Sequence, residues 1–527
     1  MAARALLQRL ERVFNLPIVE SARDKVRTIE ELAEIADTHR ERGMAVVQAH
    51  GTFDLLHLGH VRHLEAAKRL GQVLMVTVTA DRFVNKGPGR PVFNERLRAE
   101  MLAALEYVDW VAINPSPDAV SAIATIRPQV YVKGQDYQNP AGDVTGKITA
   151  ERNAVEAHGG RLAFTDEATF SSSELINRHL NVFEPHVREQ LASLRSDGGL
   201  GEILALLERV RDYRVVLVGD AIIDEYQFVQ PMAKAPKENM IATRYQDREL
   251  FAGGVFAAAN HVASFCKEVD VITSLGGRQS FEKLVRQQLA PNVRLHNIMR
   301  PGAPTTRKRR FVDPSYMGKL FEVYYIDDDP MPRELQRRVD ARIVELTVGA
   351  DVVIATDFGH GLIAPSTIDT LAHEAPFLAV NCQSNSANQG FNLITKYPRA
   401  DYVCVDAPEA RLAMSDRTSP IGDIAHRMGR MVNCPRLIIT QGKHGCVTYE
   451  DGGIVRTIPA FAKNVVDTVG AGDAFLSVTS PLVAAGGAMH QIGFIGNVVG
   501  ALKVEIVGHR RCIEKPDLVK AITALLK

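Results

Sequence analysis

Tryptophan is almost missing from this chain: Trp110 is the one example among 527 residues. Cysteine is scarce as well. The six cysteines, at 266, 382, 404, 434, 446 and 512, lie in the second half and form no CxxC pair. That argues against a zinc site or a disulfide framework, and a reducing, cytoplasmic setting is expected. Nor is there an excess of either charge, because 62 Lys plus Arg balance 62 Asp plus Glu. Without a global positive field, nucleic acid is not an expected partner. No apolar run approaches the roughly 18 residues of a membrane span, and the N-terminus lacks the apolar core of a signal peptide, so no membrane partner is expected. Met1 to Phe14 is Arg-rich and amphipathic; a transit peptide is one reading, and a capping helix is the expected one. The rest is ordinary globular material, 46% hydrophobic and 24% charged. At roughly 100 to 200 residues per domain, the length asks for two or three.

Residues 44 to 182 alternate short apolar runs with helical patterns. The runs are Met44 to Ala49, Val73 to Thr79, Asp109 to Ile113, Gln129 to Lys133 and Arg161 to Phe164. Such alternation predicts a parallel sheet with right-handed crossovers, a small doubly wound α/β domain. Before it, residues 1 to 43 read as an N-terminal helical segment. After it, 183 to 211 turn helical and polar around Ser196-Asp197-Gly198-Gly199, which reads as a linker. A second alternating series from 212 to 527 predicts a larger α/β domain, with strands at Arg214 to Val218, Val269 to Ser274, Asp351 to Thr356, Phe377 to Asn381, Tyr402 to Val405 and Leu437 to Thr440. Residues 241 to 251 and 305 to 326, rich in β-formers and charge, are expected to form a small β lid.

The first chemical site follows the first strand. Gly51-Thr52-Phe53-Asp54-Leu55-Leu56-His57-Leu58-Gly59-His60 opens the helical stretch Val61 to Leu70. A glycine-containing loop that opens a helix presents backbone N–H groups and a positive dipole end to an anion. His57 and His60, three apart, can both face a phosphate there, and Gly59 leaves room for close approach. Two imidazoles can donate to the charge that builds on an α-phosphate as pyrophosphate is displaced. Outside this context, two surface histidines would be the better reading. The stretch resembles the HxGH signature of the cytidylyltransferase-like nucleotidyltransferases, a Rossmann-like fold. Lys86 with Gly89-Arg90-Pro91-Val92, then Val132-Lys133-Gly134-Gln135-Asp136-Tyr137, then Ser171-Ser172-Ser173-Glu174 resemble further elements of the sugar-phosphate members. The resemblance implies that Lys86 and Arg90 hold acceptor and triphosphate oxygens, that Ser171, Ser172 and Ser173 meet the β- and γ-phosphates, and that Lys133 and Asp136 join nucleotide and substrate. For Lys133 alone, a strand-end surface lysine is an equal reading.

The second site lies near the C-terminus, where Asp467-Thr468-Val469-Gly470-Ala471-Gly472-Asp473 leads into an apolar helix. Gly470, Ala471 and Gly472 let the backbone wrap an oxyanion at a helix N-terminus, and Asp473 can accept a hydroxyl proton in phosphoryl transfer. This segment resembles the signature of ribokinase-like sugar kinases, as do Val218-Gly219-Asp220 with Asp224-Glu225-Tyr226, Gly253-Gly254, Thr356-Asp357-Phe358, and Thr440-Gln441-Gly442 with Gly445. The likeness implies sugar contacts from Asp220, Asp224, Gly253, Gly254 and Asp357, and ATP contacts from Thr440, Gly442 and Gly445. Three positions depart from the family pattern. Ala257 replaces a sugar-contacting Asn, with Asn260 one turn on; Asn381-Cys382-Gln383 replaces Asp-Pro-Lys; Asp406-Ala407-Pro408-Glu409 keeps Glu409, which in the family organises Mg²⁺. In the run Arg307-Lys308-Arg309-Arg310, a solvated face and an inward-pointing pair, Lys308 and Arg310, holding a substrate phosphate are both open readings.

Together the two halves resemble the bifunctional heptose 7-phosphate kinases and heptose 1-phosphate nucleotidyltransferases, with the domain order reversed. The resemblance implies a transferase that uses ATP as phosphoryl donor, ATP or CTP as nucleotidyl donor, and Mg²⁺, acts on a sugar phosphate, and forms a homodimer. A cytidylyltransferase for a polyol or other small phosphate, and a silent kinase domain kept as a sensor or dimerisation module, are the alternatives.

Overall fold

A computed structural model describes residues 21–84, 90–135, 147–165, 183–196, 199–235, 237–327, 329–462 and 464–526. Lys86, Asp136, Ser171, Ser172, Ser173 and the Met1 to Phe14 segment lie outside the described residues. The chain forms two compact units, residues 1–182 and 183–526.

The first unit is built on six strands: β1 (Val26–Arg27), β2 (Val46–Gly51), β3 (Val73–Thr79), β4 (Trp110–Asn114), β5 (Val130–Gly134) and β6 (Arg161–Thr165). They lie in the order β1-β4-β3-β2-β5-β6, every pair parallel. Every residue of β3 is buried, as a strand covered on both faces requires. The period of two sends Val47, Ala49, Leu74, Val76 and Val78 to one face, where they meet helices α2 (Leu58–Lys68) and α3 (Glu95–Ala103). Val46, Val73 and Met75 point the other way, onto α1 (Ile29–Glu41) and α4 (Val120–Ile126). A fifth helix, α5 (Lys147–Glu156), precedes β6. The boundary expected at 43 differs from what forms. β1 extends the sheet at its β4 edge, and α1, capped by a Thr28–Glu31 box, buries Ile29, Leu32 and Ala36 in the same core.

The second unit carries nine strands in the order β12-β10-β7-β16-β17-β18-β19-β20-β21, parallel up to β19 and antiparallel beyond. They are β7 (Arg214–Gly219), β10 (Glu268–Thr273), β12 (Val293–Asn297), β16 (Val352–Asp357), β17 (Leu378–Cys382), β18 (Tyr402–Asp406), β19 (Arg436–Thr440), β20 (Cys446–Glu450) and β21 (Ile454–Ile458). One face packs on α6 (Pro185–Ser196), α7 (Gly199–Arg209), α8 (Val255–Ala263), α14 (Ala471–Ala484), α15 (Met489–Lys503) and α16 (Lys515–Leu526). The other packs on α10 (Arg333–Thr347), α11 (Pro365–Glu374) and α13 (Ile421–Met431). Short helices α9 (Glu282–Gln288) and α12 (Ala407–Ala413) complete the set. The stretch read as a linker is helical, but Val187, Leu191, Leu194, Ile203, Leu206 and Leu207 are buried in this core, so α6 and α7 are part of the second unit.

The lid is a four-stranded sheet, β15 (Gly318–Tyr325), β14 (Thr306–Asp313), β8 (Ala221–Lys234) and β9 (Ile241–Gly254) in spatial order, beside a short parallel pair, β11 (Gly276–Arg278) and β13 (Arg300–Pro304). Only Asp220 separates β8 from β7. No helix among the described residues is long and apolar enough to cross a membrane.

Candidate active sites

In the first unit β2 lies between β3 and β5, so the chain leaves it in both directions across the sheet. Ligands of open α/β sheets bind at such a switch point, and the loop after β2 carries the histidines. His57 is the N-cap of α2, and its Nδ1 accepts from the Gly59 N–H at 3.1 Å. Its ring stacks on His60 with centroids 3.9 Å apart, and Phe53 meets His60 edge-on at 5.3 Å. The helix N-terminus and the two stacked imidazoles thus lie together in the loop that follows Gly51 and Thr52 and includes Gly59.

Buried cations brace this loop. Arg98, fully buried, donates to the carbonyls of Thr52 (2.5 Å), Thr79 (2.8 Å) and Phe93 (2.9 Å) and pairs with Asp81 at 2.6 Å. Arg90 was expected on phosphate oxygens. Its side chain is 4% exposed and pairs with buried Asp54 at 3.1 Å, while Asp54 also accepts from the Val92 N–H at 2.5 Å. Lys133 ends β5 paired with Glu151 of α5 at 3.0 Å, 11% exposed. Two further histidines escaped the sequence reading. His50 bonds Thr77 at 2.9 Å, and burial, then Lys133 and Lys147, push its pKa down to about 3. His63 bonds Thr165 at 2.6 Å, and burial, then Lys133, bring it to about 4. Both are neutral near pH 7. The three-residue spacing of His57, His60 and His63 along one helix was the available signal for the second.

In the second unit the switch point lies at β7, from which the chain reaches β10 on one side and β16 on the other. Gly470, with φ of 74°, is the N-cap of α14, and Asp473 is the third residue of that helix. The first turn leaves N–H groups without intrahelical partners, which suits an anion. Asp473 is half-buried, and burial raises its carboxyl pKa against the pull of His509. Asp224 of β8 is buried and accepts from Arg310 and from His509 Nε2, the latter at 3.2 Å. Although burial pushes its pKa up, Arg310 and His509 hold the carboxyl well below the usual range. Lys308 sits beside Asp224 in the β14–β8 register, buried, and has no ion-pair partner among the described residues. Burial lowers its pKa, and Asp224 opposes that.

Residues 213–516 match the sequence profile described as pfkB family carbohydrate kinase. The chain belongs to the pfkB family. Residues 49–178 match the cytidylyltransferase-like profile, so that domain comes first and the kinase domain second. Similar curated proteins include the bifunctional protein HldE of Syntrophotalea carbinolica, 37% identical over 163 residues, and that of Trichlorobacter lovleyi, 41% over 140. These alignments cover 30% and 26% of this chain and 32% and 27% of the relatives. The chain spans about a third of the length of the curated relatives it matches. Among solved structures, the tetrameric inhibited form of Escherichia coli phosphofructokinase-2 is 15% identical, with 60% of this chain and 100% of that one covered and a TM-score of 0.48. Arabidopsis thaliana ribokinase complexed with ribose and ATP is 16% identical, with 60% and 99% covered and a TM-score of 0.45.

Two aspartates of this pfkB-family chain do not sit free to meet a sugar as expected. Asp220 accepts the backbone N–H groups of Phe358 (3.0 Å), His360 (3.2 Å) and Leu362 (3.1 Å), and burial, then Asp357, raises its pKa to about 6. Asp357 is tied to Tyr397 at 2.8 Å and Lys396 at 2.6 Å. Both carboxylates hold the loop after β16, and Lys396 is a cation that the altered Asn381 to Gln383 strand end gave no hint of. Asn260 bonds Gln288 O and Ala290 N–H, so its amide stabilises α9. Of the cation run, Lys308 and Arg310 are buried, while Arg307 and Arg309 pair with buried Glu225 at 3.1 Å each. Arg310 also pairs with Glu322 at 3.5 Å.

A surface depression lined by Asp406, Pro408, Arg411, Thr440, Gly442 and His444 lies at the β18 and β19 ends. Thr440 and Gly442 were expected there. Gly445 does not line it; a Cβ there would meet Ile458 O at 2.0 Å, so it serves close packing. Glu409 and Asp406 form a reciprocal cap, and burial, then Asp406, raises Glu409 to about 8. The loops around Asp473 are held by two more groups, Asp467, which opens the signature segment, and Lys503, which no motif marks. Asp467 accepts from Tyr226 (2.5 Å), Lys319 (2.8 Å) and the Gly508 N–H (2.8 Å). Lys503, fully buried, donates to Val469 O and Gly508 O, each at 2.8 Å.

Proposed function

We propose that the second unit transfers the γ-phosphoryl of ATP to the anomeric hydroxyl of a sugar phosphate of the heptose 7-phosphate class, and that the first unit joins the resulting sugar 1-phosphate to a nucleotidyl group from ATP or CTP. The observation that carries the reading is Asp473 in the first turn of α14, behind Gly470, Ala471 and Gly472 and opposite Asp224 and Lys308. Its raised pKa favours taking the proton of the attacking hydroxyl. The helix N-terminus receives the charge of the transferring group, and Lys308 supplies a cation for a phosphate already on the sugar.

In the first unit, His57, His60 and the α2 N-terminus would meet the α-phosphate as the sugar 1-phosphate displaces pyrophosphate. Mg²⁺ neutralises nucleotide phosphates in both reactions. In this reading the ion is carried mainly by the nucleotide, with Glu409 acting on it indirectly. A homodimer through the lid is supported by the exposure there of Ile241, Tyr245, Phe321 and Val323.

Phosphorus NMR of the protein with Mg²⁺, ATP and heptose 7-phosphate tests the kinase half. A new anomeric phosphate signal that is absent with Asp473→Asn is the expected result. A signal that persists in that variant removes Asp473 from the reaction. Pyrophosphate release with ATP and with CTP then decides the nucleotide.

A further inference from the structure

Two glycines at the kinase site have no room for a side chain, and both border the same imidazole. A Cβ on Gly470 would lie 2.5 Å from Cε1 of His509, and one on Gly253 would lie 1.9 Å from Asp224 Oδ2 and 3.4 Å from His509 Nε2. His509 belongs to the loop between α15 and α16, and its side chain is only 8% exposed. Its Nε2 lies 3.2 Å from Asp224 Oδ2. A carboxylate only accepts, so Nε2 carries a proton and the ring is fixed from that edge. Nδ1, at the other edge, is buried and has no hydrogen-bond partner among the described residues. A buried ring nitrogen left without a partner is costly, which asks for a group that the described residues do not supply.

The position of the ring says what that group is. It packs on Gly470, the N-cap of α14, the helix whose third residue is Asp473. A sugar whose anomeric hydroxyl lies at Asp473 brings its neighbouring ring hydroxyl close to the same helix start. That hydroxyl can donate to or accept from Nδ1, whichever the imidazole needs. We propose that His509 is a specificity-determining residue of the kinase site, bonding through Nδ1 the sugar hydroxyl adjacent to the one phosphorylated, with Asp224 orienting the ring. The inference rests on the kinase reading above. No motif marks Val507-Gly508-His509-Arg510, and the role becomes visible only where the loop meets two glycines from distant parts of the chain.

The test compares heptose 7-phosphate with its analogue deoxy at the carbon next to the anomeric centre, in wild type, His509→Ala and His509→Asn. A site that hydrogen-bonds a hydroxyl rejects the analogue lacking it. Wild type should favour the natural sugar by about 100-fold or more in kcat/KM. In His509→Ala that preference should collapse to a few-fold, chiefly through a KM for the natural sugar raised about 30-fold. His509→Asn, whose amide can replace Nδ1, should restore much of the preference, and His509→Phe, which fills the space without a hydrogen-bonding group, stands in for alanine if the alanine variant does not fold. Full discrimination retained in folded His509→Ala or His509→Phe overturns the role of His509 and leaves the kinase reading standing. If wild type binds ATP but transfers phosphoryl to no sugar phosphate offered, the kinase reading falls, and this inference with it.

Discussion

Replacing Lys503 with Met should separate two consequences of one buried charge. The ammonium at the end of α15 is fully buried and bridges Val469 O, next to the anion-binding turn, and Gly508 O, next to His509. Burial lowers its pKa from the ordinary 10.5 to about 8, with Asp467 and Asp473 opposing. That shift corresponds to about 3 kcal/mol. The folded chain holds this proton less tightly than the unfolded chain, so the cost of the buried ammonium is present in full below about pH 8 and fades as the pH rises to 10.5. Across that window the kinase unit should gain about 3 kcal/mol relative to Lys503→Met, which has no such group. Near pH 7 the variant escapes the burial cost but strands two carbonyls at about 1–3 kcal/mol each. The two effects roughly offset, and the melting temperature should move by only a few degrees. The kinase kcat should nevertheless fall about 10-fold or more, because Val469 and Gly470 lose their anchor. Calorimetry from pH 7 to 10.5, with phosphoryl transfer measured alongside, checks both statements. Trp110, the single tryptophan, belongs to the first unit and follows that unit separately by fluorescence. A variant with the wild-type pH slope, or with an intact kcat, would refute the argument.

His57→Ala and His60→Ala should each slow nucleotidyl transfer by about 10²- to 10³-fold while phosphoryl transfer stays intact; pyrophosphate release reads the first, and unchanged rates would remove the histidines from the reaction. Lys308→Ala should raise the KM for a phosphorylated sugar about 10-fold and leave that for the unphosphorylated sugar alone, as initial rates on the two sugars would show. Joint replacement with Arg310→Ala should cost more, since Asp224 then loses its guanidinium partner in a buried setting. Equal KM values in wild type and Lys308→Ala would assign that lysine to packing.

The parallel strands were legible because each is covered on both faces and therefore reads as a short unbroken apolar run; Val73 to Thr79 is the plainest case. Strand β8 was not, since Asp224, Glu225 and Gln227 interrupt its apolar pattern and find their partners only in the lid. Helix α6 read as polar because its Val187, Leu191, Leu194 stripe is narrow. At the candidate sites, groups placed by a local turn were visible: the histidines at the start of α2 and Asp473 behind its glycines. Groups brought in from across the fold were not. Asp220 and Arg90 have the charge that a ligand contact needs, yet loop amides and Asp54 occupy them. Lys503 and His509 depend on loops from distant parts of the chain, which no short pattern reports.

The single residue between β7 and β8 has a practical consequence for anyone recombining parts of this enzyme. A lid joined by a long loop could be exchanged as a cassette, with its own crossover points and its own protease-sensitive joints. Here β8, an inner strand of the lid, continues β7, the third strand of the nine-stranded sheet, and the intervening Asp220 is clamped by three amides of the loop after β16. Any rocking of the lid must bend the chain there and at the β9–α8 junction, where Gly254 runs straight into Val255, and must drag the loop after β16 with it. A transplanted lid would therefore function only if the graft brought along the donor's version of residues 358 to 362 and partners for Asp467 equivalent to Tyr226 and Lys319.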